Sequence, residues 1–331
     1  MKEPARDSRP SRAGVQVCSA CAERWERYPL IDELIRRLRA IALEEQILQN
    51  EPLAAHTTMR VGGAADVFFL PDSALQTMRA LEIAREMGLP ALLMGNGSNL
   101  IVRDGGVRGL VVCLGERFAR VRVEGEEISA QAGASLARVA AVAQEAGLSG
   151  LEFAAGIPGT LGGGVAMNAG AYGGQLSDAL IEARVLLDGR EVAFAREEME
   201  MGYRTTLPLK RGLPVLSARF RLTRDDPAAI LARMKELNAR RREKQPLNFP
   251  SAGSTFKRPE GHFAGALIEA AGLKGLRVGG AQVSEKHAGF IVNRGGATAR
   301  DVLELIAQVQ ARVQAHAGVL LETEVRIVGD D

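Results

Sequence analysis

The chain is poor in cysteine, in aromatic residues and in long apolar runs. Its three cysteines in 331 residues are Cys18, Cys21 and Cys113. Three unevenly placed thiols do not make a disulfide framework, so a reducing, cytoplasmic setting is expected. Cys18 and Cys21 form one CxxC, "CSAC". Without a second pair it is no zinc signature, and it sits in a polar stretch rather than after a strand, as a redox pair would. No metal site is expected. Aromatics make up 4% of the chain, too few for a base-stacking nucleic-acid surface. A net charge of +2 gives no electrostatic case for nucleic acid or a membrane surface. No stretch reaches the ~18 consecutive apolar residues of a transmembrane helix. The opening "MKEPARDSRPSRAG" has no apolar segment behind its charges and does not read as a signal peptide. Residues 1–28 read as a disordered tail.

Glycine, by contrast, is abundant: 37 residues, eight of them in "GIPGTLGGGVAMNAGAYGG" (156–174). The apolar fraction of 46% supports a sizeable core, and the length suits two or three domains. Apolar periodicity predicts a helix from Leu30 to about Leu48 and a buried strand over 64–71. A helix capped by Asp72 or Ser73 should then run to Gly88. "PALLMGNGSNLIV" (90–102) reads as strand, turn, strand, and 109–114 as a further strand. The next region is β-rich. It should hold a hairpin over 121–133, a helix from Ser135 to Gly147, a second hairpin over 183–195 turning at Asp188–Gly189, and a strand over 215–222. Asp226–Pro227 should open a helix that Pro246 stops. Helices over 263–271 and 300–316, with strands over 289–293 and 322–329, complete the chain.

Several segments carry chemistry. "MGNGSNL" (94–100) follows a strand, and its exposed amides could cradle a pyrophosphate or simply form a tight turn. It is not a dinucleotide fingerprint, since Leu100 stands where the third glycine should be. The segment 156–174 mixes glycine with Ile157, Pro158, Leu161, Val165, Met167 and Tyr172. It should therefore pack, presenting a wall of backbone to an extended ligand. Arg204 in "GYRTTLP" is open between a solvated strand residue and a functional one. His287 is open between a structural and a functional role, and the Arg240, Arg241, Arg242, Lys244 run is of the kind that decorates a helix end. In "SAGSTFKRP" (251–259), Ser254 lies in no G-x-S-x-G elbow and has no base beside it, so it does not read as a nucleophile.

Together "HTTMRVGGAA", "MGNGSNLIV", "GIPGTLGGGVAMNAGAYGG", "GYRTTLP", "SAGSTFKRP", "LIEAAGLKGLRVGGAQVSEKHAGFIVN" and "LETEVRIVG" resemble the UDP-N-acetylenolpyruvoylglucosamine reductases of bacterial peptidoglycan synthesis, from about Asn50 to Gly329. The resemblance implies an α+β fold: a two-lobed FAD-binding domain of the vanillyl-alcohol-oxidase type plus a C-terminal α/β substrate-binding domain. Its expected bounds are 29–115 and 116–225 for the FAD-binding subdomains and 226–331 for the substrate domain. It implies non-covalent FAD, NADPH as co-substrate, UDP-N-acetylglucosamine enolpyruvate as substrate and no obligatory protein partner. Carried onto this chain, the catalytic residues become Arg204, Ser254 and Glu324. Hydride added at C3 of the enolpyruvyl group leaves carbanion character at C2. Arg204 would stabilise that charge at the carboxylate with Glu324 assisting, and Ser254 would give C2 its proton, with Lys257 as electrostatic support. Around FAD it implies Arg60, Gly95, Asn96, Gly97, Ser98, Asn99, Gly156, Ile157, Pro158, Gly159, Thr160, Gly163, Asn168, Ala171, Arg241 and Arg326. Along the substrate it implies Tyr203, Lys244, Arg258, Lys274 and His287. Between Leu222 and Ser251 there is no room for the tyrosine-bearing insertion of the longer subclass, so the chain resembles the shorter one, and which aromatic closes the site is left open. The rivals are an oxidase on the same flavin scaffold and a non-catalytic flavin or UDP-sugar sensor.

Overall fold

The computed structural model describes residues 19–331, with side chains from Pro29 onward. Residues 1–18, Cys18 among them, lie outside the described residues, as does the side chain of Cys21. The first helix, α1 (Ser19–Leu38), begins inside the stretch read as a tail. It ends ten residues before the sequence pattern predicts. Helical spacing continues through Ile41 and Leu48, but Ile47–Pro52 is an antiparallel strand paired with Ala64–Phe69. The free edge of that strand captures the segment, and sheet pairing overrides an apolar period that either structure could satisfy.

The four-stranded sheet runs in the order Ile47–Pro52, Ala64–Phe69, Val107–Cys113, Ala91–Met94, with the last two pairings parallel. Helix α2 (Ala74–Glu86) starts at Ser73, whose hydroxyl accepts the Gln76 N–H, and Gly88 follows it at φ +66°. Leu34, Ile35 and Leu38 of α1 and Ala80 and Ala84 of α2 pack with Val67, Phe69, Leu110 and Val112 of the sheet. Phe68, Val111 and Cys113, in the alternate register, form a second cluster with Leu53 and Met94. Both faces of the central strands are thus covered, as their nearly unbroken apolar runs require.

The next region is a five-stranded antiparallel sheet, ordered Arg190–Ala195, Leu180–Leu187, Val215–Arg221, Glu127–Gln131, Val121–Glu124. Its outer hairpin turns through Asp188 (φ +49°) and Gly189 (φ +74°), the two positive values a type I′ turn needs. Helix α3 (Leu136–Glu145) is capped by Ser135. The glycine-rich segment holds a short helix, α4 (Leu161–Ala166), where the sequence predicts only a packed wall. Three consecutive glycines disfavour a helix, but a Cβ at Gly162 would lie 2.8 Å from the Ala132 Cβ, and one at Gly164 3.0 Å from Leu136. The glycines let α4 press onto the sheet and α3, and that packing outweighs their low propensity. A single turn, α5 (Leu207–Arg211), follows from Thr206.

Helix α6 (Pro227–Lys244), capped by Asp226, adds Ile230 and Met234 to the core of this region. Helices α7 (Ala264–Ala270) and α8 (Ala299–Ala317) then cover a sheet ordered Ser251–Ser254, Phe290–Asn293, Ala281–Val283, Arg277–Val278. Val302, Leu305, Ile306, Val309 and Val313 of α8 form its core with Ile268, Ile291 and also Met59, Val61 and Ile101 from the first region. The chain then returns: Arg326–Val328 pairs in parallel with Leu100–Val102. That pairing carries residue 324 to the glycine-rich turn at 95–99.

Candidate active site

The two glycine-rich segments meet. A Cβ on Gly95 would sit 2.2 Å from Thr160 Oγ1, and one on Gly97 (φ +57°) 2.3 Å from the His56 carbonyl oxygen. Ser98 Oγ donates to the Pro158 carbonyl at 3.2 Å, and Gly159 stands beside it at φ +123°. Beside this seam lies a cavity of about 540 Å³, lined by His56, Arg60, Gly95, Asn96 and Cys113, with Leu247 and Phe249 from the C-terminal half. Gly163, by contrast, has only the Thr160 hydroxyl near it, at 3.8 Å. Ile157 flanks Gly156, and Ala171 sits in a two-residue strand beside Tyr172 (φ +54°).

Arg241 is part-buried against this wall. The space a Gly156 Cβ would need is taken by Asn238 Oδ1 at 2.3 Å and the Arg241 Cδ at 3.2 Å. Burial pushes the Arg241 guanidinium below its usual range, with Tyr172 acting the other way. Among the described residues no carboxylate pairs with it. An under-compensated cation beside a backbone wall fits the diphosphate of a dinucleotide. The residues present therefore suit FAD. Asn168 differs: its buried amide is engaged inside the protein, with Nδ2 donating to Gly202 O (3.1 Å) and Gln175 Oε1 (3.3 Å) and Oδ1 accepting the Ser177 N–H (3.0 Å). It ties the glycine-rich segment to the turn that carries Arg204.

That turn presents Arg204 at φ +55°. Arg204 Nε donates to Glu324 Oε1 at 2.7 Å and Nη2 to the Gly170 carbonyl at 3.3 Å. The Glu324 N–H donates to Thr255 O at 2.8 Å, while Asn99 Nδ2 donates to Glu324 O at 3.0 Å and the Arg326 N–H to Asn99 O at 2.9 Å. Burial pushes the Glu324 carboxyl above the usual carboxylate range, and the Arg204 charge pulls against it. Ser254, exposed at the end of its strand, directly precedes Thr255, whose N–H donates to Gly289 O at 2.9 Å. Arg204 and Glu324 are thus in direct contact, and Thr255, the residue after Ser254, is bonded to Glu324 through its backbone. The Lys257 ammonium pairs with Glu322 at 3.0 Å on the exposed side, and its charge also opposes the upward shift of the Glu324 carboxyl.

Tyr203 lies beside Arg204, whose guanidinium carbon is 5.3 Å from the Tyr203 ring centroid. The Arg258 N–H reaches Tyr203 Oη at 3.4 Å, and the Arg258 guanidinium carbon lies 4.3 Å over the Phe263 ring. His287 and Lys274 form another group. Lys274 pairs with Glu269 at 2.5 Å, and His287 Nδ1 accepts the Gly289 N–H at 3.1 Å. Burial holds the His287 imidazole below its ordinary value, helped by the Lys274 charge and opposed by Glu269. Lys244, the last residue of α6, is exposed, and no described contact joins it to these groups. In the sequence, His56, Cys113, Thr255 and Phe263 carry no signal of their place beside these groups. His56 lies in a quoted segment, and its pairing with Glu51 at 2.7 Å spans only five residues, but its place on the cavity is a property of the fold. A larger hollow of about 660 Å³ on the outer face of the five-stranded sheet shares no residue with these groups. Its Arg184 and Arg219 are paired with carboxylates.

Residues 65–193 match the model of an FAD-binding domain, and residues 245–328 that of the UDP-N-acetylenolpyruvoylglucosamine reductase C-terminal domain. A UDP-N-acetylenolpyruvoylglucosamine reductase of Exiguobacterium sibiricum is 49% identical over 91% of this chain and 99% of its own length. One from Agathobacter rectalis is 51% identical over 86% of this chain and 94% of its own. The crystal structure of the reductase from Thermus caldophilus superposes with a TM-score of 0.73 at 38% identity, covering 85% of this chain and 97% of that one. With the cavity and the Arg241 site, these matches define an FAD-dependent oxidoreductase with an α+β fold. The chain belongs to the UDP-N-acetylenolpyruvoylglucosamine reductase family. Among the described residues no helix is long and apolar enough to cross a membrane.

Proposed function

We propose that the protein reduces UDP-N-acetylglucosamine enolpyruvate to UDP-N-acetylmuramate with NADPH, in the cytoplasm, as a member of the shorter subclass. Non-covalently held FAD supplies the hydride that reaches C3 of the enolpyruvyl group. Residues 29–115 and 116–225 form the FAD-binding subdomains and 226–331 the substrate-binding domain, with Arg204 reaching across to the substrate and Arg241 of α6, which packs on the second region, reaching FAD. Arg204 binds the substrate carboxylate and stabilises the charge that spreads onto it during reduction. Glu324 orients Arg204 through its Oε1 and, with its carboxyl pushed up by burial, holds a proton to higher pH than an ordinary glutamate. Ser254 gives its proton to C2. A serine hydroxyl is a weak acid, but a carbanion-like centre is a strong base, and the Arg204 cation lowers the cost of the alkoxide. Arg258, Lys244 and Lys274 attract the diphosphate.

The observation that carries this reading is the meeting of Arg204, Glu324 and the Ser254 strand, 120 residues apart in the Arg204–Glu324 pair, beside the seam of the two glycine-rich segments. To test it, the holoenzyme is bleached anaerobically with NADPH and the enolpyruvyl UDP sugar is added. Return of the flavin absorbance in proportion to the sugar supports the proposal; a flavin that stays bleached, or recovers only with oxygen, contradicts it.

A further inference from the structure

We propose that Phe263 is the stacking platform for the nucleobase of the substrate. The inference rests on the reading of the substrate as a UDP sugar and adds a specificity residue to it.

Phe263 is the most exposed large apolar side chain among the described residues, at 62%. Single exposed apolar residues are ordinary on a protein surface, so exposure alone decides nothing. Its surroundings decide more. The Arg258 guanidinium lies over the ring at 4.3 Å, and the residue stays 62% exposed beneath it. The backbone under it is fixed: Phe263 is the N-cap of α7, its carbonyl accepts the Leu267 N–H at 3.1 Å, and Ala264 and Ile268 on either side of that turn are buried in the core. The ring is thus an exposed aromatic on a rigid element, with few rotamers to lose on binding.

Phe263 also ends a continuous track. From Glu324 the contacts run to Arg204 (2.7 Å), from Arg204 to the Tyr203 ring (5.3 Å), from Tyr203 Oη to the Arg258 N–H (3.4 Å), and from the Arg258 guanidinium to Phe263 (4.3 Å). Cation and aromatic alternate along it. A UDP sugar presents the matching series: a carboxylate at the reacting end, a sugar ring, a diphosphate and a planar base. With the carboxylate on Arg204, the sugar lies along Tyr203, the diphosphate meets Arg258, and the uracil falls on the exposed ring of Phe263. The stacked Arg258 also polarises that ring, holding anion and base sites at a fixed spacing.

The test uses oxidised holoenzyme titrated with UDP and, separately, with inorganic pyrophosphate, followed calorimetrically. Phe263→Leu keeps an apolar side chain and removes the ring; Phe263→Tyr keeps the ring. The platform predicts that F263L binds UDP about 10- to 100-fold more weakly, with pyrophosphate unchanged, and that F263Y stays near wild type. F263L binding UDP as wild type does, or losing UDP and pyrophosphate equally, would overturn the platform while leaving the substrate reading intact. A wild-type enzyme that does not bind UDP would overturn the substrate reading and the platform with it.

Discussion

In the proposed function, the cofactor side and the substrate side of the site are built from opposite materials. The cofactor side is glycine backbone packed tight: Gly95 against the Thr160 hydroxyl, Gly97 against the His56 carbonyl, Gly156 against the Asn238 and Arg241 side chains, each too close for a Cβ. The substrate side is exposed side chains, with Tyr203 at 57% and Phe263 at 62% exposure and Arg258 also exposed, brought together from different elements. A wall of backbone fixes a large ligand in one position and leaves little room for side chains where it is tightest. A track of side chains reads charge and shape one group at a time, so single changes there should subtract single functions.

The largest effect should come from breaking the wall. Gly97→Val places a Cβ on a backbone carbonyl that cannot rotate away, at a φ that branched residues avoid. It should yield colourless protein lacking FAD, read from the absorbance after purification. Gly189→Ala is the control: its φ of +74° is equally left-handed, but nothing lies within 4 Å of the added Cβ. It should cost about 1 kcal/mol of stability and keep full FAD content. Next, Arg204→Lys should retain FAD and lower kcat about 100-fold in steady-state assays, because an ammonium cannot span Glu324 and a carboxylate as the planar guanidinium does.

Smaller effects should follow from the buried titrating groups. His287 has a folded-state value below its ordinary 6.5. The unfolded chain therefore binds more protons than the folded one as pH falls below about 6.5, and stability declines over that window down to the lowered value. His287→Gln should flatten that acid-side fall in a series of thermal melts. The smallest effect should be at Cys113, whose thiol is pushed up to about 12 by burial. Peptide mapping after iodoacetamide treatment of the native holoenzyme should find it unmodified.

The sequence pattern identified features whose cause is local. Ser73, one of the two candidates, and Asp226 cap their helices, Ser135 caps the helix expected to begin there, and Asp188–Gly189 turns its hairpin, because each needs only the next few residues. It misjudged elements that distant partners decide. The segment after Leu38 turns away to become a sheet edge, and three glycines form α4 because Ala132 and Leu136 lie close by. The site divides in the same way. Glycine-rich segments announce a backbone wall from composition alone. The Arg204–Glu324 contact depends on the terminal strand returning to residues 100–102, which no spacing encodes. Phe263 sat unremarked because an exposed aromatic acquires meaning only from what stacks on it.

The most direct test of this division of labour is the pair of half-reactions in Ser254→Ala, measured anaerobically by stopped flow. Flavin reduction by NADPH should proceed within about twofold of wild type, because the wall is untouched. Reoxidation by the enolpyruvyl UDP sugar should slow by about 100- to 10,000-fold, the range expected for loss of a positioned proton donor. Reoxidation at a near wild-type rate, or equal slowing of both half-reactions, would contradict the assignment of proton transfer to Ser254 and the separation of the two sides.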